Sequence, residues 1–246
     1  MNNTFSDKFV ADEKNFALLQ ETMWGPNGIR QAEELASYFT ITKDKKILDL
    51  GAGTGLSSLY LAQEYGAEVF ATDLYADPTE NYERFQSLGI ANKIVPMTLD
   101  ATQPLPFAKH YFDVIFSVGA YNMFGDTEEM LPNFISYVKK GGYIAVAFPG
   151  LKYDFGDNVP SEMQPFWNVP DVAKYIRGID WWKKLWSKTD GIEVISISEQ
   201  VCHDIAWQEY LASRNPNNPD EKWDLDMMAA EAGKYYNTIQ LIAKVI

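Results

Sequence analysis

The sequence predicts an α/β fold: a largely parallel sheet with helices around it. Three observations lead there. Residues 47–55 read Ile-Leu-Asp-Leu-Gly-Ala-Gly-Thr-Gly, a short buried strand running into glycines at alternate positions. Leu56–Tyr65 then carries apolar residues at helical spacing, so strand, glycine turn and helix follow in order. Further short apolar runs alternate with helical stretches along the chain, and several of those runs lead into an acid.

The elements follow in sequence. Residues 1–22 are polar with scattered aromatics, and a helix over Asp12–Thr22 is expected. Met23-Trp24-Gly25-Pro26-Asn27-Gly28 is a turn. Ile29–Phe39 is an amphipathic helix with Ile29, Ala32, Leu35, Ala36 and Phe39 on one side. After the charged turn Lys43–Lys46 comes the first strand. Val69–Asp73 is the second, Lys93–Met97 the third and Tyr111–Ser117 the fourth. Helices are predicted at Thr79–Leu88, with Pro78 at its start, and at Thr127–Val138, ended by Gly141-Gly142. Tyr143–Phe148 is the fifth strand.

Residues 149–190 then change character, with four prolines and an aromatic-rich helix expected over Asp171–Trp186. Trp181, Trp182 and Trp186 cannot all face one way on a helix; either they are the core of a small cap or they line a pocket. Gly191–Ser198 alternates as a strand. Residues 202–233 form a helical insertion, and Tyr235–Ile246 is the last strand. No repeat or linker divides the chain.

The glycine spacing separates ligand classes. A dinucleotide loop reads G-x-G-x-x-G, and Leu56 stands where its third glycine belongs; a phosphate loop needs a lysine that is absent. Asp49, inside the strand, suits a ligand with an amino group better than a pyrophosphate. The pattern hh-D-h-G-x-G-x-G resembles motif I of the class I S-adenosylmethionine-dependent methyltransferases. Asp73, Asp100-Ala101, the fourth strand and the Lys139-Lys140-Gly141-Gly142 approach to the fifth continue the resemblance over residues 20–150, with Lys140 where the family has proline. Cyclopropane-synthase-like and ubiquinone/menaquinone-type enzymes share the layout.

The resemblance implies one Rossmann-like three-layer domain over 1–246. Its sheet has seven strands, mostly parallel, with the last antiparallel; 1–45 forms a helical lid, and 149–190 and 202–233 are cap insertions. It implies S-adenosylmethionine as cofactor and methyl transfer to a small-molecule acceptor. The expected cofactor residues are Trp24, Gly25, Asp49, Gly51, Ala52, Gly53, Thr54, Gly55, Asp73, Leu74, Asp100, Ala101, Ser117 and Val118. Asp73 ends the second strand, where a carboxylate accepts from a ribose diol; the family places an acid at Asp100 on the adenine amino group. Trp24 is either a cofactor contact or a core anchor. Asp113 is read as structural. Tyr121 follows the fourth strand and is a candidate beside the methyl group, against a half-buried packing role. His203 is the candidate base, against a structural histidine. Two rival readings remain: a nicotinamide-dependent oxidoreductase, and a non-catalytic protein that binds S-adenosylmethionine.

Composition bounds the partners. The chain has 246 residues, a hydrophobic fraction of 46% and a net charge of -13. That charge argues against nucleic acid and against stable association with an anionic membrane. One cysteine, Cys202, and two histidines offer no disulfide framework and no expected metal site. A cytoplasmic protein is expected, and a homodimer is compatible with the sequence.

Overall fold

The computed structural model describes residues 4–167 and 172–246. Three helices come first: α1 (Phe5–Ala11), α2 (Glu13–Thr22) and α3 (Gly28–Ala36). Asp12 caps α2 by accepting from the backbone N–H groups of Lys14 and Asn15. Alternation follows with β1 (Lys46–Leu50), α4 (Leu56–Tyr65), β2 (Glu68–Asp73), α5 (Pro78–Ser87), β3 (Ile94–Thr98) and β4 (Phe112–Val118). Pro78 occupies the first turn of α5 behind the capping Asp77, because a missing N–H costs nothing there.

The chain continues through α6 (Met130–Ile135), β5 (Val138–Leu151), α7 (Gln164–Trp167), α8 (Val172–Tyr175) and α9 (Ile179–Trp186). It ends with β6 (Ile192–Glu199), α10 (His203–Ala212), α11 (Pro219–Glu231) and β7 (Tyr236–Val245). One seven-stranded sheet results, in the order β3-β2-β1-β4-β5-β7-β6. Strands β1 to β5 pair in parallel, and β7 runs antiparallel between β5 and β6. Alternate residues of each strand feed two cores. Ile47, Val69, Val114 and Ala145 face the one shared with α3, α4, α5 and α10. Leu48, Leu50, Ile115 and Phe148 face the one shared with α6 and α9. This is the expected three-layer α/β sandwich.

Three local expectations need correction. The helix predicted over Thr127–Val138 shrinks to α6, since Pro132 confines it and Val138 pairs with Phe112 as part of β5. Gly141-Gly142 therefore sits inside β5, where a Cβ on Gly142 would come within 2.4 Å of the Asp113 carbonyl oxygen. The Asp171–Trp186 helix breaks before α9. Gly178 bridges to Leu151 and donates its N–H to Asp154 at 2.6 Å; Asp171 itself lies outside the described residues. Finally, α9 is no cap: Trp182 and Trp186 are buried on the sheet face with Phe148 and Ile239.

Asp113 is structural, as read. It accepts from Lys46 N–H at 3.0 Å and pairs with Lys45 and Lys139. Arg30 joins the N-terminal helices to the later insertion, bridging Glu209 of α10 at 2.7 Å and Asp7 of α1 at 3.0 Å.

Candidate active site

The sheet order reverses between β1 and β4, so a crevice opens beyond their carboxyl ends. A cleft of about 720 Å³ occupies it, within the size range of small-molecule sites. Strands β2 and β3 lie on one side of the β1–β4 pair, β5 and β7 on the other. The cleft accordingly has a carboxylate end and an aromatic end.

The glycine loop forms its floor. Gly51, Gly53 and Gly55 all have positive φ, at 69°, 54° and 88°, a region that side chains disfavour. The N–H groups of Gly51 and Ala52 both donate to the Thr72 carbonyl, at 2.8 and 3.0 Å. Neighbours hold the loop from behind. Asn81 donates to the Gly53 carbonyl at 2.8 Å, Arg84 to the Thr54 carbonyl at 3.0 Å, and Thr54 Oγ1 to the Thr22 carbonyl at 2.8 Å. Asn81 and Arg84 were not singled out from sequence; they lie one helical turn apart on α5, and that spacing was the available signal.

Gly51, Ala52, Gly53 and Thr54 line the cleft, as do Trp24, Gly25, Asp73, Leu74, Asp100, Ala101 and Val118. Asp73 accepts from Gly53 N–H at 2.8 Å on one oxygen, and from Tyr75 and Ala76 N–H at 2.8 and 3.0 Å on the other. Asp100 accepts from Thr102 N–H at 2.9 Å and Thr102 Oγ1 at 2.6 Å, which hold its carboxyl below the usual carboxylate range. Trp24 is no core anchor. It is 64% exposed, and its ring is the nearest neighbour a Cβ on Gly53 would meet, at 3.5 Å.

Five expected residues do not line the cleft. Gly55 is there for packing, since a Cβ would come within 2.4 Å of the Phe85 ring. Ser117 is buried and donates to the Leu50 carbonyl at 2.7 Å, pinning β4 to β1. Asp49 is 0% exposed and accepts from Ser57 and Ser58, each at 2.6 Å, which anchors the start of α4 behind the loop.

Tyr121 is also fully buried, stacked on Phe148 and flanked by Trp182 and Trp186 in the core beside α9. The turn after β4 drops its ring to that side, away from the cleft. His203 is 7% exposed, with Nδ1 3.1 Å from Thr238 Oγ1, and burial lowers its pKa below the usual value. Neither residue lines the cleft.

Several lining residues lie outside the expected set, among them Gln31 of α3, Trp207 and Tyr210 of α10, and Trp223 and Asp224 of α11. Gln31 is buried, donates through Nε2 to the Pro26 carbonyl at 3.2 Å, and leaves Oε1 in the cleft wall with no partner among the described residues. That bond fixes the amide's orientation, because only nitrogen can donate to a carbonyl. A glutamine four residues before Leu35, on a helical face of apolar residues, was the readable sign.

Burial raises the Asp49 carboxyl from 3.8 to about 6. The folded chain therefore binds this proton more tightly than the unfolded one. The associated stability is present near pH 4 and is lost as pH rises through 6. Asp49→Asn should match the parent near pH 4 and exceed it near neutrality by on the order of 2 kcal/mol. Urea unfolding at both pH values checks this, and a pH-independent difference would refute it.

Residues 47–142 match a family model described as a methyltransferase domain. The methyltransferase GfsG of Streptomyces halstedii is 25% identical over 177 residues, 71% of this chain and 63% of that protein. A glycine/sarcosine/dimethylglycine N-methyltransferase of Actinopolyspora halophila is 27% identical over 121 residues, 49% of this chain and 21% of that protein. The chain thus spans less than two thirds of the length of these curated relatives. Among solved structures, phosphoethanolamine N-methyltransferase 2 of Haemonchus contortus, in complex with S-adenosyl-L-methionine, superposes with a TM-score of 0.71. It is 16% identical and covers 98% of this chain and 59% of that one. Geranyl diphosphate C-methyltransferase from Streptomyces coelicolor A3(2) gives a TM-score of 0.66 at 14% identity, over 88% and 80% of the two chains. These structures share the fold.

Proposed function

We propose that this chain, which carries a class I S-adenosylmethionine-dependent methyltransferase domain, transfers a methyl group from S-adenosylmethionine to a small-molecule acceptor by direct in-line displacement. The observation that carries this reading is the positive-φ glycine loop opening into a cleft with a carboxylate at the end of β2 and another just after β3. The residues present fit the cofactor. Gly51 and Gly53 give the cleft-lining loop its positive φ, and among the described residues Gln31 Oε1 is a buried acceptor with no protein partner.

Asp73 would accept from the ribose hydroxyls and Asp100 from the adenine amino group, with Leu74 and Ala101 against the base. Trp24 and Gly25 would cover the loop, and Gln31 Oε1 would accept from the amino-acid end. When bound, the cofactor supplies a methyl group on a positively charged sulfur, already electrophilic. The chain's part is to hold the acceptor in line and to exclude water. The aromatic walls do that without a histidine. Helices α1 to α3 act as the lid, tied to α10 through Arg30 and Glu209.

The nicotinamide reading gains nothing from the structure, because Leu56 is a buried side chain where a third glycine would be needed. Among the described residues, no helix is long and apolar enough to cross a membrane. With a net charge of -13, action on a small molecule rather than on nucleic acid is favoured.

Calorimetric titration with S-adenosylmethionine, and with NADH in a parallel cell, tests the reading. Binding of the first alone is expected; binding of NADH alone would overturn it. Asp73→Ala should weaken S-adenosylmethionine roughly 10- to 100-fold, from about 1.5–3 kcal/mol for a hydrogen bond to a charged group. Because Asp73 also accepts three backbone N–H groups, Asp73→Asn should keep more of the fold's stability while losing much of the same affinity. Full affinity in both variants would remove Asp73 from the site.

A further inference from the structure

Among the described residues, the aromatic end of the cleft holds rings and one charged group. Trp207 and Tyr210 of α10, Trp223 and Asp224 of α11, and Tyr236 at the start of β7 line it. The Trp207 and Tyr210 rings meet edge to face at 5.8 Å. Asp224 accepts from Tyr210 Oη at 2.6 Å, and a carboxylate keeps further acceptor sites beyond one such bond.

No Lys, Arg or His lines the cleft among the described residues. Residues 168–171, Asn-Val-Pro-Asp, contain no cationic side chain, nor do residues 1–3, Met-Asn-Asn. Two cations touch lining rings without lining the cleft themselves. Lys174 Nζ lies 4.6 Å from the centre of the Tyr175 ring and bonds its hydroxyl at 3.1 Å. Arg214 lies 4.6 Å from the Tyr210 ring and is engaged by the Gln20 carbonyl at 3.3 Å and Glu221 at 4.0 Å.

An acceptor bearing a phosphate or carboxylate would meet Asp224 in this end and, among the described residues, no cleft-lining cation to offset its desolvation. The chain's net charge of -13 also opposes its approach at long range. A positively charged group meets the reverse. Aromatic faces attract it, and Asp224 supplies the counter-charge.

Resting on the methyl-transfer reading, we infer that the acceptor is an organic amine, held at the aromatic end by its cationic group and free of phosphate or carboxylate there. The cation is a handle; the methyl-accepting atom is a separate one, nearer the glycine loop.

The test uses the full chain saturated with S-adenosylhomocysteine, which fills the cofactor site without turnover. Phenethylamine, phenethyl alcohol and phenylacetate, matched in size, are titrated in calorimetric and ligand-observed NMR experiments. Phenethylamine should bind at least about tenfold more tightly than phenylacetate, with the alcohol between them. Asp224→Asn keeps an acceptor for Tyr210 and should shrink that gap about threefold or more, with S-adenosylhomocysteine affinity unaltered. Equal or tighter binding of phenylacetate, or no phenethylamine binding to protein that does bind S-adenosylhomocysteine, would overturn the inference. Failure of S-adenosylhomocysteine itself to bind would instead strike the methyl-transfer reading beneath it.

Discussion

Gly51→Ala is expected to abolish cofactor binding and to destabilise the fold by about 2–4 kcal/mol. Two costs add. The residue has φ of 69°, where a side chain is strained by roughly 1–3 kcal/mol. A Cβ there would also lie 2.2 Å from the Ala120 Cβ. Ala120's Cβ is bonded directly to backbone, so no side-chain rotation relieves the overlap. Either the turn after β4 or the glycine loop must move. The loop is held by two hydrogen bonds to the Thr72 carbonyl, and Gly51 and Ala120 both line the cleft. Any relief therefore deforms the cofactor floor. If turnover can be followed at all, a displacement of an ångström should lower it about 100-fold.

Gly53→Ala is the control for that argument. Its φ is 54°, but the nearest neighbour of a new Cβ is the exposed Trp24 ring at 3.5 Å, so it bears the strain without the collision. Urea unfolding and S-adenosylmethionine titration of both variants decide the matter. Equal losses would show that the Ala120 wall is not what makes Gly51 necessary.

What could be read from sequence here was local. The glycine loop, the apolar strand runs and the acids after β2 and β3 each declare themselves within a few residues, and their placement in the fold follows from topology. What could not be read depends on pairings across the chain. Val138 leaves its helix because Phe112, 26 positions earlier in the chain, offers a ladder partner. Tyr121 stands next to the cleft in sequence, yet the 3₁₀ turn at Tyr121–Met123 sends its ring into the core beside α9. Gly125 is needed beside it, since a Cβ there would sit 2.3 Å from that ring.

Asp49 illustrates a third case. Its carboxylate is read as suiting a ligand's amino group; Oδ2 accepts from both serines at the start of α4, and Oδ1 has no partner among the described residues. Two adjacent hydroxyls in the first turn after an acid-bearing strand were a legible alternative. Gln31 was legible too, as a polar residue on the buried face of α3, where burial of an amide demands partners.

The tryptophans carry the same lesson into a measurable contrast. Trp182→Ala is expected to cost about 3–5 kcal/mol and to lower Tm by roughly 10 °C for a chain of this size. The ring is fully buried, 4.6 Å from Phe148, 5.0 Å from Trp181 and 5.8 Å from Tyr121, and none of these three ring partners lines the cleft. S-adenosylmethionine affinity should therefore stay unchanged at temperatures where the variant is folded. Its indole N–H has no partner among the described residues, so Trp182→Phe should recover most of the loss while removing a buried donor unpaired there. Trp24→Ala should do the reverse. That ring is exposed and rests on Gly53, so stability should change by less than about 0.5 kcal/mol while cofactor affinity falls. Thermal unfolding and calorimetry on the three variants separate the roles. A loss of affinity in Trp182→Ala, or of stability in Trp24→Ala, would mean that the Trp182 core and the cleft are coupled.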